Sequence, residues 1–248
     1  LFDYETGIFV PGVHFNSGNQ IWTGNYFQKG PEWERDITIE FIEEGNLSWS
    51  QGAGMRVHGG RTRGYPQKSL RIYARDEYGA SKFNHPFFDT KEKQIFDKFI
   101  LRTPNGCWSR SAIKDDVTSY IARDLDVETQ HSRAAIVFIN GEYWGIYSIR
   151  DYLDSDYLEE EFGVDKDSVN IVLNGAGINP NYDETWGIVA GDNDSYLAMI
   201  DFMQNNDLSI PANYNYVSTL IDVSSTIDYF CQSTFFIKKD WPTGNSKV

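Results

Sequence analysis

The hydrophobic period of this chain changes along its length. Ile37, Ile39 and Phe41 alternate with polar residues; Met55 with Val57, and Leu70 with Ile72 and Ala74, repeat the pattern. A period of two belongs to strands with one buried face. Over 111–125 the spacing switches. Ile113, Val117, Tyr120, Ile121 and Leu125 fall three or four apart, which predicts an amphipathic helix. Two more helices are predicted over 195–205 and 224–236, with Leu197, Ile200 and Met203 on one face of the first. Strands gathered first and helices later predict an α+β fold, not a doubly wound parallel sheet.

Turn residues divide these runs. Leu1 to Lys29 reads as turns and short extended pieces, and Glu44-Gly45-Asn46 closes a hairpin. Asn140-Gly141 is the strongest hairpin signal; it joins a buried strand over 135–140 to a returning strand over 143–149. Short strands are expected at 99–101 and 169–173, and a Gly/Asn/Pro loop at 174–183. A helix over 151–162 should end at Gly163. The whole of 1–248 reads as one domain, mainly sheet over 1–173 and mainly helical over 174–248.

Composition narrows the function classes. The formal charge of −14 argues against a nucleic-acid binder, which needs a basic face. Apolar residues make up 40%, enough for a real core. No apolar run approaches the ~18 residues of a spanning helix. The chain opens Leu1-Phe2-Asp3 with neither leader nor initiator Met, so it reads as a mature or cut piece of a longer protein. Cys107 and Cys231 could pair, but two cysteines make neither a disulfide scaffold nor a zinc site.

Three segments could carry chemistry. The first runs from Gly52 to Leu70 between two predicted strands and combines glycines with Arg56, Arg61, Arg63 and Lys68. Backbone N–H groups could cradle a polyphosphate there while the cations neutralise it. Equally, it could be a twisted hairpin whose arginines pair with the surplus carboxylates. The second holds Asp240 and Asn245 beyond a helix. In kinase-type sites an Asp accepts the substrate hydroxyl proton and an Asn a few residues on holds a metal ion. On spacing alone, an Asx-capped surface turn is the favoured alternative. In the third, Arg150 and Asp151 end a strand, where they could line a cleft; alone, capping of the following helix is favoured.

The remaining polar groups read as structural. His14, His58, His85 and His131 are not spaced as metal ligands. Asp192-Asn193-Asp194 lacks the rest of a calcium loop and reads as a helix N-terminus, and Glu159-Glu160-Glu161 as a solvated helix face.

Taken in order, the segments resemble the CotH-type kinase family, first known from spore-coat proteins, in the branch found in bacterial surface or secreted proteins. The resemblance is carried by Gly54-x-Arg56-x-x-Gly59-Gly60-x-x-Arg63-Gly64-x-Pro66-Gln67-Lys68-Ser69-Leu70, then Leu101-Arg102, then 115–125. Phe138-x-Asn140-Gly141-x-Tyr143-x-Gly145-x-Tyr147-x-Ile149-Arg150 and Asp240-Trp241-Pro242 follow. It implies an atypical protein kinase with a divergent kinase-like α+β fold, using ATP and Mg2+ or Mn2+ to phosphorylate Ser or Thr of proteins outside the cytoplasm. By the same resemblance Lys68 contacts ATP phosphates with Arg56 or Arg63 in support, Asp240 is the catalytic carboxylate, and Asp240 and Asn245 hold metal. Asp151, counted with Lys68, Arg56 and Arg63 as cofactor-binding, stands where relatives usually carry Glu, one methylene longer, and Lys68, Asp240 and Asp151 are expected to converge in one cleft. Relatives continue past the Asp240 loop with a strand bearing a metal-binding Asp, then helices. This chain stops at Val248, so its C-terminal part reads as truncated and the chain as inactive alone.

The competing expectation is a non-catalytic surface module that binds glycan or protein through Trp22, Tyr26, Trp33, Trp49, Trp144 and Trp186.

Overall fold

The computed structural model describes residues 1–19, 22–91, 94–104, 111–173 and 187–238. The fold is mixed α+β. The strands are β1 (Arg35–Glu43), β2 (Asn46–His58), β3 (Ser69–Tyr73), β4 (Phe83–Asn84), β5 (Ile95–Phe96), β6 (Lys98–Arg102), β7 (Ser132–Ile139), β8 (Glu142–Asp151), β9 (Ile171–Val172) and β10 (Ile188–Ala190). The α-helices are α1 (Lys114–Ala122), α2 (Ser155–Phe162), α3 (Asp194–Asn205), α4 (Pro211–Val217) and α5 (Val223–Phe235). Contacts divide the chain into two compact units. One is Leu1–Val117 with Gln130–Tyr152; the other is Thr118–Thr129 with Leu153–Val248.

The first unit is built on a six-stranded antiparallel sheet in the order β1-β2-β3-β6-β8-β7. Two-residue turns set its outer registers. Glu43 pairs with Asn46 around Glu44-Gly45, and Ile139 with Glu142 around Asn140-Gly141. All four turn residues have positive φ, the geometry that matches the twist of a hairpin. Alternation then sorts the side chains. Ala53, Met55, Val57, Leu70, Ile72, Phe99, Leu101, Tyr147 and Ile149 fall on one face and form a buried core with Phe83, Phe87, Phe88 and Phe96. Burial of these large side chains is the main stabilising term, at about 1.5–3 kcal/mol each.

Two sequence expectations fail here. The strand over 135–140 is not buried on both faces: β7 is an edge strand with Ile136 and Phe138 exposed. The helix expected over 111–125 is shorter, and its apolar stripe (Ile113, Val117, Tyr120, Ile121) is exposed.

In the second unit, Asp154 caps α2 by accepting the Tyr157 N–H, and Gly163 ends it at φ 70. Asp222 caps α5 in the same way through Ser225. Asp192 accepts the Asp194 N–H at the start of α3, the helix N-terminus read from the sequence. The segment before β7 joins this unit through the Tyr157 hydroxyl on Glu128 (2.5 Å) and the Asp126 N–H on Asp228 (2.8 Å). The helix α4 was not anticipated; Pro211 occupies its first turn, where the missing N–H is no loss. Among the described residues no helix is long and apolar enough to cross a membrane.

Candidate functional site

The period of two that buries the core also assembles a cationic surface on the other side of the same sheet. Leu70-Arg71-Ile72, Leu101-Arg102 and Ile149-Arg150 each place an arginine opposite the core. The register brings Arg56 beside Arg71, Arg71 beside Ile100, and Ile100 beside Arg150. Tyr73 beside Lys98 forms the next row, and Arg102 beside Ser148 the row on the other side.

Among the described residues, carboxylates bind Arg56 and Arg150 of this face. Arg56 and Arg75 both bind Glu34, each at 2.6 Å, and Glu34 is buried. Burial pushes the Glu34 carboxyl up, but hydrogen bonds and charge from Arg75 and Arg56 outweigh this and hold it below its usual range. Arg150 binds Asp116 at 2.7 Å, with Asp115 at 3.7 Å and Ser148 Oγ at 3.2 Å. Arg71 has a different set of partners: the Tyr73 hydroxyl (3.3 Å), His58 Nδ1 (3.0 Å) and the Tyr152 ring, 3.6 Å from its guanidinium carbon. Its Nε–H is buried and has no acceptor among the described residues. Arg102 is held less tightly in its charged form by burial and by neighbouring Arg150, against the opposing pull of Asp115. Arg102, Arg150, Asp115 and Asp116 line a cavity of about 30 Å3, water-sized and not nucleotide-sized.

The glycine-rich hairpin adjoins this surface. Arg63 ties it to the N-terminal segment by donating to the carbonyls of Gly59 and of Tyr26 and Gln28. Burial, then the charge of Arg71, lowers the Arg63 pKa. Lys68 is buried just before β3. Its ammonium donates to the Tyr65 carbonyl at 2.8 Å and lies 4.2 Å from the centre of the Tyr26 ring. Among the described residues no carboxylate is within ion-pair distance, and burial lowers its pKa to about 8.

Asp151 stands apart from Lys68. It is the last residue of β8, not the start of a helix, and points into the core, 1% exposed. Its carboxylate takes Lys91 Nζ at 3.4 Å and His131 Nδ1 at 2.8 Å, and its carbonyl accepts from Gln130. Asp151 pairs with Phe99 and Phe99 with Ile72, so it lies four residues along and two strands across from Lys68, about 16 Å away. Arg150 likewise caps nothing; Asp154 is the cap of α2.

Of the sequence-predicted groups, Lys68 and Arg63 both contact Tyr26 at the hairpin, Arg56 is committed to Glu34, and Asp151 belongs to a buried ionic cluster. Asp240, Asn245 and Cys107 lie outside the described residues; Cys231 is free and exposed. The histidines are structural: His14 binds Asn25, His58 faces Arg71, His131 binds Asp151, and His85 packs among Phe41, Trp49 and Phe87. Sequence reasoning gave no role to Arg71, Arg102 and Lys98. The signal was present as single cations alternating with core residues in three central strands.

The aromatic platform of the competing reading is mostly core. Tyr26, Trp33, Trp49 and Trp144 pack against the apolar cluster; Trp22 is exposed, and Trp186 lies outside the described residues.

No curated protein matches the chain. The family model described as CotH kinase protein matches residues 55–247. That stretch carries nearly all of the cationic face, the hairpin and Lys68. With well over half its length covered, the chain belongs to the CotH kinase protein family.

Proposed function

We propose that this domain is an ATP-dependent protein kinase acting on Ser or Thr of proteins outside the cytoplasm, with the polyphosphate seated against the cationic face of the sheet. Family membership supports kinase-like chemistry. The observation that carries the reading is Arg71: a buried guanidinium N–H without an acceptor among the described residues fits a phosphate oxygen. Arg102 on the adjoining strand extends the same charge. Lys68 stands by at the hairpin, and phosphate approach would restore its hold on the proton.

In the transfer, an acceptor hydroxyl oxygen bonds to the γ-phosphorus as the bond from that phosphorus to the β–γ bridging oxygen breaks. ADP leaves with the electron pair, and the hydroxyl proton passes to Asp240, the proposed base. Mg2+ or Mn2+ accompanying ATP would neutralise phosphate charge. Among the described residues no cluster of three His, Cys, Asp or Glu could hold such an ion; Asp240 and Asn245, its proposed partners, lie outside them.

The test is transfer of label from γ-labelled ATP to Ser- and Thr-containing proteins, with each metal. Incorporation that Asp240→Asn abolishes is the expected result. No transfer by either this chain or a longer one extended past Val248 would overturn the assignment.

A further inference from the structure

The pairing of β6 with β8 stops where Arg102 meets Ser148, while β8 begins six residues earlier, at Glu142. The chain entering β3 serves the part of β8 that β6 does not reach. Gln67 donates its side-chain N–H to the Ile146 carbonyl at 3.0 Å. The approach is close enough to need a glycine next door: at Gly145 φ is 134, and a Cβ there would collide with the Gln67 amide.

The next two residues are tied in the same way. Tyr147 is buried on the core face of β8, and its hydroxyl donates to the Lys68 carbonyl at 3.1 Å. Burial raises the Tyr147 pKa, so the hydroxyl keeps its proton and stays a donor. Ser69 Oγ accepts the Thr103 N–H at 3.0 Å, just past β6, and lies 3.1 Å from Thr103 Oγ1. Gln67, Lys68 and Ser69 are thus each fixed by a side-chain bond to a distant part of the sheet. The Lys68 ammonium, on that fixed backbone, meets the Tyr65 carbonyl and the Tyr26 ring.

We infer that Tyr147 is a positioning residue for Lys68, with Gln67 as the second anchor, and that together they fix the backbone from which the ammonium reaches a phosphate. The inference rests on the proposed role of Lys68 beside the ATP phosphates. It gives the Gly145-x-Tyr147 spacing a physical reason. The glycine admits the Gln67 amide to the Ile146 carbonyl, and the tyrosine on the other side of Ile146 reaches the Lys68 carbonyl. Without the hydroxyl, a buried carbonyl loses its donor and the lysine backbone is released toward water. An ammonium nearer water holds its proton more tightly.

An NMR pH titration of the full chain carrying 13Cε-labelled lysine, without nucleotide, tests the anchoring alone; Lys68→Met assigns the signal. In Tyr147→Phe the Lys68 midpoint should move from about 8 toward the ordinary 10.5. Gln67→Met, at a half-buried position, should move it the same way by less, and carries the test if Tyr147→Phe does not fold. Phe83→Leu loosens the core against Trp49 and Phe99 and should leave the midpoint in place. Calorimetry then joins anchoring to phosphate: Tyr147→Phe should weaken ATP binding about 10-fold, and Phe83→Leu should not. A midpoint unmoved in both anchor variants overturns the inference, as does an equal movement in Phe83→Leu, or unchanged ATP affinity in Tyr147→Phe when the unmodified chain binds. A midpoint that moves in a protein whose unmodified form takes up no ATP upholds the anchoring and removes the phosphate reading instead.

Discussion

Replacing Lys68 by Met should make the fold more stable at neutral pH. The lysine is 4% exposed, and among the described residues its charge is met only by the Tyr65 carbonyl and the Tyr26 ring. Burial lowers its pKa from 10.5 to about 8. At about 1.4 kcal/mol per tenfold change in proton affinity, holding the charge inside costs about 3 kcal/mol at pH 7. Methionine forfeits the carbonyl bond and the ring attraction, together about 1–2 kcal/mol. The net gain is about 1–2 kcal/mol, a rise in melting temperature of about 2–8 °C for a chain of this size. The sign is set by linkage. The folded pKa is the lower one, so the destabilisation is complete below pH 8, shrinks as pH rises and is gone above 10.5. Thermal unfolding followed by circular dichroism at pH 7 and pH 10 should show the Lys68→Met gain at the first and almost none at the second. A variant that melts below wild type at pH 7, or a gain equal at both pH values, would refute the reasoning.

Other perturbations separate scaffold from site. Glu34→Gln should destabilise by about 2–3 kcal/mol in urea titrations, because two guanidinium groups lose their shared carboxylate. Glu34 has a depressed folded pKa, so its contribution is present above about pH 4.5 and lost as pH falls through the folded value; the variant should lack that acid limb. Asp151→Asn should cost about 3 kcal/mol in the same titration, since a buried carboxylate charge that Lys91 and His131 share is removed. Gly141→Ala should cost about 1 kcal/mol, because φ is 81 in that turn, measured by the shift in urea midpoint.

The strands were legible where alternation and a turn coincide. Ile37 to Phe41 with Glu44-Gly45, and Asn140-Gly141 with Tyr143 to Ile149, each specify a hairpin locally, and both formed. Gly163 and the stripe over 195–205 placed the end of α2 and the span of α3. Asp151 was misplaced because Arg150-Asp151 resembles a helix start, whereas pairing with Phe99 keeps the strand going until Asp154 supplies the cap. The two-residue strands β4 and β5 are too short to carry a period, and tertiary packing around Phe83 and Phe96 makes them. The exposed stripe of α1 shows that periodicity fixes a face but not what covers it. The site was half legible. The basic hairpin stood out as a cluster, but partnership is decided by residues distant in sequence. Glu34 claims Arg56 and Arg75, Asp116 claims Arg150, and among the described residues Arg71 is left with an open donor.

That open donor is where the phosphate assignment is most exposed. Calorimetric titration of ATP into the chain, alone and with Mg2+, should give saturable heat. Arg71→Met should weaken binding about 10- to 100-fold, the loss of one or two charge-assisted bonds, with the melting transition retained. Binding of equal strength in the Arg71→Met protein would place the nucleotide elsewhere, and absence of heat from the unmodified chain would remove the nucleotide site altogether.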